Sequence, residues 1–118
     1  MAIIKLTKDN FGKYGEFLDL LDESELKKKS IFQEGFFADV VALEFNQGNQ
    51  PTISVCHVKK QSENIISFLE AHQYACEGLL PLDGDVIIFV GIMDSDFRTE
   101  SIEAFYVPKG TFVKLNPL

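Results

Sequence analysis

Ile102-Glu103-Ala104-Phe105-Tyr106-Val107-Pro108-Lys109-Gly110-Thr111-Phe112-Val113-Lys114-Leu115 reads as strand, turn, strand. Its two halves are rich in β-branched and aromatic residues, and Pro108-Lys109-Gly110 between them is turn chemistry. The same grammar extends backwards along the chain. Val86-Ile87-Ile88-Phe89-Val90 is the most apolar strand candidate, and Asp83-Gly84 between Leu82 and Val86 is a two-residue hairpin signal. Cys76 to Leu82 and Phe68 to His72 read as two further strands, and Ser62 to Ser67 as a short helical turn. Thr52 to Lys59 alternates, with Ile53, Val55 and His57 on one face, and the turn residues 46–51 precede it. Phe37 to Phe45 is expected as a strand whose inward side is apolar apart from Asp39. Nearer the start, Ile3 to Leu6 and Tyr14 to Leu18 read as strands around one helical turn at Asp9 to Lys13, capped from Thr7 to Asn10. Asp22 to Lys29 is highly charged and has no apolar stripe, so it reads as an exposed loop or a marginal helix. About eight or nine short strands at this spacing predict an all-β class: a sandwich, jelly roll or small antiparallel barrel with little helix, in one domain over residues 1–118.

The length of 118 residues accommodates one core. Eleven Phe and no Trp indicate a core or interface built from phenyl rings. The net charge is −7, and Arg98 is the single arginine beside ten lysines. Such a chain is poorly suited to a phosphate backbone, so nucleic acid is not an expected partner. The longest apolar run, Val86 to Met93, is far below the ~20 residues of a membrane-spanning helix, and no membrane partner is expected. The start of the chain, with Lys5, Lys8 and Asp9 close behind Met1, does not read as a signal peptide, which leads to a cytoplasmic expectation. Cys56 and Cys76 are expected as reduced, core-facing thiols.

The sharpest chemical pattern is Glu70-Ala71-His72 followed by Glu77. Strand periodicity places Glu70 and His72 on one face, and Glu77 opens the next strand after a short turn. Two carboxylates and an imidazole that meet inside a sheet structure are costly unless they bind something. They suit proton transfer, His72 being the group that titrates near neutrality, and they are also ligands for a divalent metal. The other arrangement open to these residues is a solvent-facing rim without chemistry.

His72, Glu77 and Gly84 resemble in spacing the second half of the first cupin motif, and Pro108-Lys109-Gly110 resembles the turn of the second. In that comparison Glu70 replaces a histidine and Val113 falls where another is expected. A wider set of segments is similar to the ureidoglycolate lyase family, itself cupin-like. Phe11-Gly12-Lys13-Tyr14-Gly15-Glu16 resembles its F-x-x-Y-G-(D/E) start, and Thr52-Ile53-Ser54-Val55 its L-I-S-(I/V) strand. Leu69, Glu70, His72 and Pro81 match its L-E-x-H to A-F-I-P stretch, with Glu77 in place of Gln, and Ile102-Glu103-Ala104-Phe105 resembles L-R-A-F. Cys56-His57 stands where the family often has N-R, and the chain ends at Leu118, about where a W-H-H-P segment would begin.

The resemblance implies a cupin-type barrel. It implies cleavage of ureidoglycolate to glyoxylate and urea in allantoin breakdown, or action of a divergent paralogue on another small carboxylate. His72, Glu77 and Glu70 would be the catalytic groups, with Lys114, His57 and Ser54 around the substrate. No cofactor is expected; a divalent metal, were one bound, would sit on Glu70, His72 and Glu77. A homodimer is the expected assembly, since short sheets leave open edges. The rival reading is a non-catalytic cupin-like module that binds a small ligand or dimerises.

Overall fold

A computed structural model describes residues 2–43, 51, 53–63, 65–67, 69–71, 76–93 and 101–117. The stretch 102–115 folds as its composition dictates, with one difference in partnership. β5 (Ile102–Val107) and β6 (Thr111–Leu115) do not pair with each other. Instead each becomes the central strand of its own three-stranded sheet. β1 (Ile3–Lys5), β5 and β4 (Val86–Gly91) form one sheet in the order β1-β5-β4. β2 (Gly15–Asp19), β6 and β3 (Glu77–Leu79) form the other, in the order β2-β6-β3. The pairs β4–β5, β2–β6 and β3–β6 are antiparallel. β1 lies parallel to β5, with Ile4 opposite Phe105, which departs from a wholly antiparallel expectation. The class is all-β with little helix, and no closed barrel is formed among the described residues.

Side-chain alternation sets the inner faces. On the first sheet Ile4, Val86, Ile88, Val90, Phe105 and Val107 point inward; on the second, Phe17, Leu79, Val113 and Leu115 do so. Between them sits Phe11, delivered by α1 (Lys8–Phe11) and fully buried. The helix exists because Thr7 caps it: its hydroxyl accepts from the Asn10 amide at 3.2 Å, and the Asn10 side chain accepts from the Thr7 N–H at 2.9 Å. This reciprocal box satisfies two donors that a helix start otherwise leaves orphaned. Phe11 then meets Phe105 edge-on at 5.0 Å, Phe17 at 6.2 Å and Tyr14 at 5.7 Å between centroids. Edge-to-face rings of this kind add about 0.5–1.5 kcal/mol per pair beyond the area that they bury.

Two connections cross between the sheets at the same end, and they are bolted together. Gly110 takes a positive φ of 84° that suits glycine; its N–H donates to the Pro81 carbonyl at 2.9 Å and its carbonyl accepts from Leu20 N–H at 3.0 Å. Asp85 accepts from the Lys109 N–H at 2.7 Å and from the Tyr106 hydroxyl. Those two hydrogen bonds, the Tyr106 one first, hold the Asp85 carboxyl below its ordinary range. The tight hairpin expected at Asp83-Gly84 is therefore absent: residues 82–84 bend, and the chain passes from β3 in one sheet to β4 in the other. A local turn signal yields here to Asp85, which ties the crossing to the Pro108–Gly110 turn.

Other expectations are corrected. Asp22 to Lys29 contains a true helix, α2 (Glu23–Lys29), because Asp22 caps it through the N–H groups of Ser24 and Glu25 and basic residues fill its last turn. Residues 37–43 and 53–59 form no strand, and Asp39 adopts a positive φ of 56° that breaks the expected run. No helical turn occurs among the described residues of 62–67 and no strand over 69–71. Cys56 is exposed rather than core-facing, and Cys76 is half-buried. The turn expected at 46–51 lies, apart from Pro51, outside the described residues.

Candidate functional site

The end of the two-layer structure opposite the crossings is where polar groups gather on inward-facing positions. Register defines it: Gly15, Leu115 and Glu77 are neighbours across the second sheet, while Gly91 and Ile102 pair at the same end of the first. Glu77 has the same strand parity as Leu79, which packs on the core, so it belongs to the inner face of β3. Glu103 has the same parity as Phe105 and Val107, and so belongs to the inner face of β5.

Glu103 is held in place by the turn that joins α1 to β2. The Tyr14 N–H donates to the Phe11 carbonyl at 2.9 Å, and the Tyr14 carbonyl accepts from Asn116 N–H at 2.8 Å. These bonds fix Tyr14, whose ring is buried beside Phe11 and Phe105. Its hydroxyl donates to the Glu103 carboxylate. The Lys13 ammonium lies 2.9 Å from the same carboxylate and 5.1 Å from the centre of the Tyr14 ring. The Glu103 side chain is 30% exposed, so the trio sits at a mouth rather than in the core.

The charges reinforce one another. The Tyr14 hydrogen bond, and after it the Lys13 hydrogen bond, pull the Glu103 carboxyl below the ordinary carboxylate range. Burial, then the bond to Glu103, raises the Tyr14 phenol. The Glu103 hydrogen bond raises the Lys13 ammonium. At neutral pH the mouth carries a carboxylate, an ammonium and a protonated phenol. The Lys13 ammonium can offer further N–H donors to an incoming anion, while the Tyr14 O–H is engaged by Glu103.

Of the residues singled out from sequence, Glu77 is half-buried at this end. His72 lies outside the described residues. Glu70 is exposed and belongs to no strand; His57 and Ser54 are likewise exposed and outside both sheets. Lys114 is placed on the other face of its sheet, opposite Gly78 and Glu16, with its ammonium 3.8 Å from the Glu16 carboxylate. Its side chain is only 8% exposed, and the sheet separates it from Glu77. Lys13, Tyr14 and Glu103 were not anticipated. The available signal was Glu103 itself, an acidic residue at a position whose strand neighbours of equal parity are apolar.

Of the three residues on which a divalent metal would sit, Glu70 is exposed, Glu77 is half-buried and His72 lies outside the described residues. Val113, which falls at a histidine position of that pattern, is fully buried in the hydrocarbon core. No group of three or more His, Cys, Asp and Glu placed to hold a metal occurs among the described residues. No described helix is long and apolar enough to cross a membrane. No family model, no curated protein and no solved structure matches this chain.

Proposed function

We propose that the chain is a cupin-type protein of the ureidoglycolate lyase group, acting on a small hydroxy-carboxylate bearing a nitrogen leaving group. The observation that carries this reading is strand register: Glu77, five positions after His72 in sequence, lies opposite Leu115 and so at the same end of its sheet as Gly15, next to the Lys13–Tyr14–Glu103 trio's turn. Two three-stranded sheets that share one core support the all-β, two-layer part of the reading.

In the reaction, a base removes the hydroxyl proton of the substrate carbon, the oxygen lone pair forms the carbonyl, and the carbon–nitrogen bond breaks. A proton returned to nitrogen completes urea, and glyoxylate is the other product. His72 is the base, and Glu77 delivers the proton to the departing nitrogen. Lys13, whose ammonium has N–H donors beyond the one that it gives Glu103, holds the substrate carboxylate, a role expected from the sequence of Lys114, which stands across the sheet from Glu77.

The test is release of glyoxylate and urea from ureidoglycolate by the purified chain. His72→Ala should lower the rate on the order of 10²-fold or more. Lys13→Ala should chiefly raise KM. A wild-type chain that releases no glyoxylate, or a His72→Ala variant of undiminished rate, would overturn the reading.

A further inference from the structure

At the crossing end, away from the polar mouth, an open groove of about 550 Å³ separates the free side of β1 from the free side of β2. Ile3, Leu6, Phe17, Tyr106 and Pro108 give it mostly apolar walls, with Lys5, Asp19 and Thr111 also lining it. β1 pairs with β5 on one side only, so its other side is a sheet edge, closed at its end where the Lys5 carbonyl accepts from the Asn10 amide. An unpaired edge beside an apolar trough is a receptor for an extended chain.

The same molecule displays an extended chain of matching character. Ile53, Val55 and Val58 are 96%, 74% and 68% exposed, in a β-branched, alternating segment that belongs to neither sheet. Stretches of this kind remain in water only at a cost of about 25 cal/mol for each Å² of apolar surface. The surface of the whole chain points the same way. It exposes 9248 Å², whereas a folded monomer of its mass exposes roughly 6,500 Å². Its radius of gyration is 15.4 Å, against about 13.5 Å for a compact domain of this length. The surplus of about 2,700 Å² per chain, about 5,400 Å² over two chains, is as large as the upper end of what obligate dimers bury, on the order of 5,000 Å² or more over both partners.

We infer that the groove is a strand-docking slot whose occupant is the segment Ile53–Val58 of a second copy of this chain. Each copy owns one slot and one segment. Reciprocal exchange therefore satisfies both and closes at two, the isologous case. Ile53 and Val55 enter the trough against Leu6 and Phe17. Cys56, of opposite parity, stays outside the trough next to β1. Asp19 offers a counter-charge to Lys59-Lys60, which follow the segment.

Cys56 supplies the experiment. In a Cys76→Ser background, Lys5→Cys places a thiol on the edge strand, where a directly opposed residue lies within disulfide reach. Mild oxidation or a short bismaleimide should then give a covalent dimer on a denaturing gel, provided both thiols are present. Cross-linking within one chain would mean that the segment docks on its own groove, and no cross-linking would mean that it docks elsewhere; either overturns the proposal. Light scattering provides the second measurement. The native chain should have the dimer mass at micromolar concentration, and Ile53→Lys with Val55→Lys should have the monomer mass while keeping a β-type circular dichroism spectrum. A native monomer, or a dimer that survives the double substitution, would also overturn it.

Discussion

Glu103 is the residue whose behaviour with pH most directly reports the polar mouth. Its carboxyl titrates below the ordinary range because Tyr14, and then Lys13, bond to its charged form. Its contribution to stability is therefore fully present above the ordinary carboxylate pKa and is lost as pH falls through the lowered value. Tyr14 has the opposite sign: burial raises its phenol, so its contribution is present below about pH 10 and is lost as pH rises through the raised value. Thermal midpoints of the wild type and Glu103→Gln should differ at neutral pH and converge as acid protonates Glu103. A constant difference down to the most acid pH would contradict the pairing. In alkaline titration followed by tyrosinate absorbance, Tyr14→Phe should remove one late-ionising phenol. The trio was hard to foresee because Tyr14 and Glu103 stand 89 positions apart and meet only through two different sheets. Alternation assigned Glu103 to a strand, but by itself it could not name the phenol across the gap. Glu77 was legible for a simpler reason: it opens a strand whose apolar partners fix the inner face.

Close backbone approach governs the elements. At Gly15 the first residue of β2 lies against β6, and a Cβ there would come within 1.8 Å of the Lys114 carbonyl oxygen. Because that atom is backbone, the strands would have to separate. Gly15→Ala should cost about 1–3 kcal/mol, as overpacked sites do, measured by urea unfolding; an unchanged midpoint would contradict the register. Thr7→Ala should cost about 1 kcal/mol through loss of the cap. Phe11→Ala, two turns of logic downstream of that cap, should cost about 3–5 kcal/mol because it empties the space between the sheets. β1, β2, β4, β5 and β6 were readable because their apolar alternation coincides with an inner face that exists. The same alternation produces no strand over the described residues 53–59, since period two specifies two faces without specifying a neighbour to pair with. At Asp83-Gly84 the local hairpin chemistry was outweighed by hydrogen bonds from Tyr106 and Lys109 to Asp85, which arise from residues more than twenty positions away.

Across the whole molecule, β5 and β6 are the strands paired on both sides, and their inward side chains are the most deeply buried. Their amides should exchange with solvent more slowly than those of β1, β2 and β3, as read by hydrogen–deuterium exchange resolved along the chain. Faster exchange over 102–115 than over 15–19 would be incompatible with this sheet order. The class was legible from turn spacing; the parallel β1–β5 pair was not, since it joins segments from opposite ends of the sequence. That pairing, together with β2 on β6, has a consequence for biosynthesis. Ile3 must wait for Ala104, and Gly15 for Leu115. At about 5–20 residues per second, synthesis leaves the first two strands without partners for roughly 5–20 s. During that interval the apolar stretch from Ile3 to Leu18 depends on holding chaperones or on its own capped helical turn, and neither sheet can assemble until translation of this stretch of chain is almost finished.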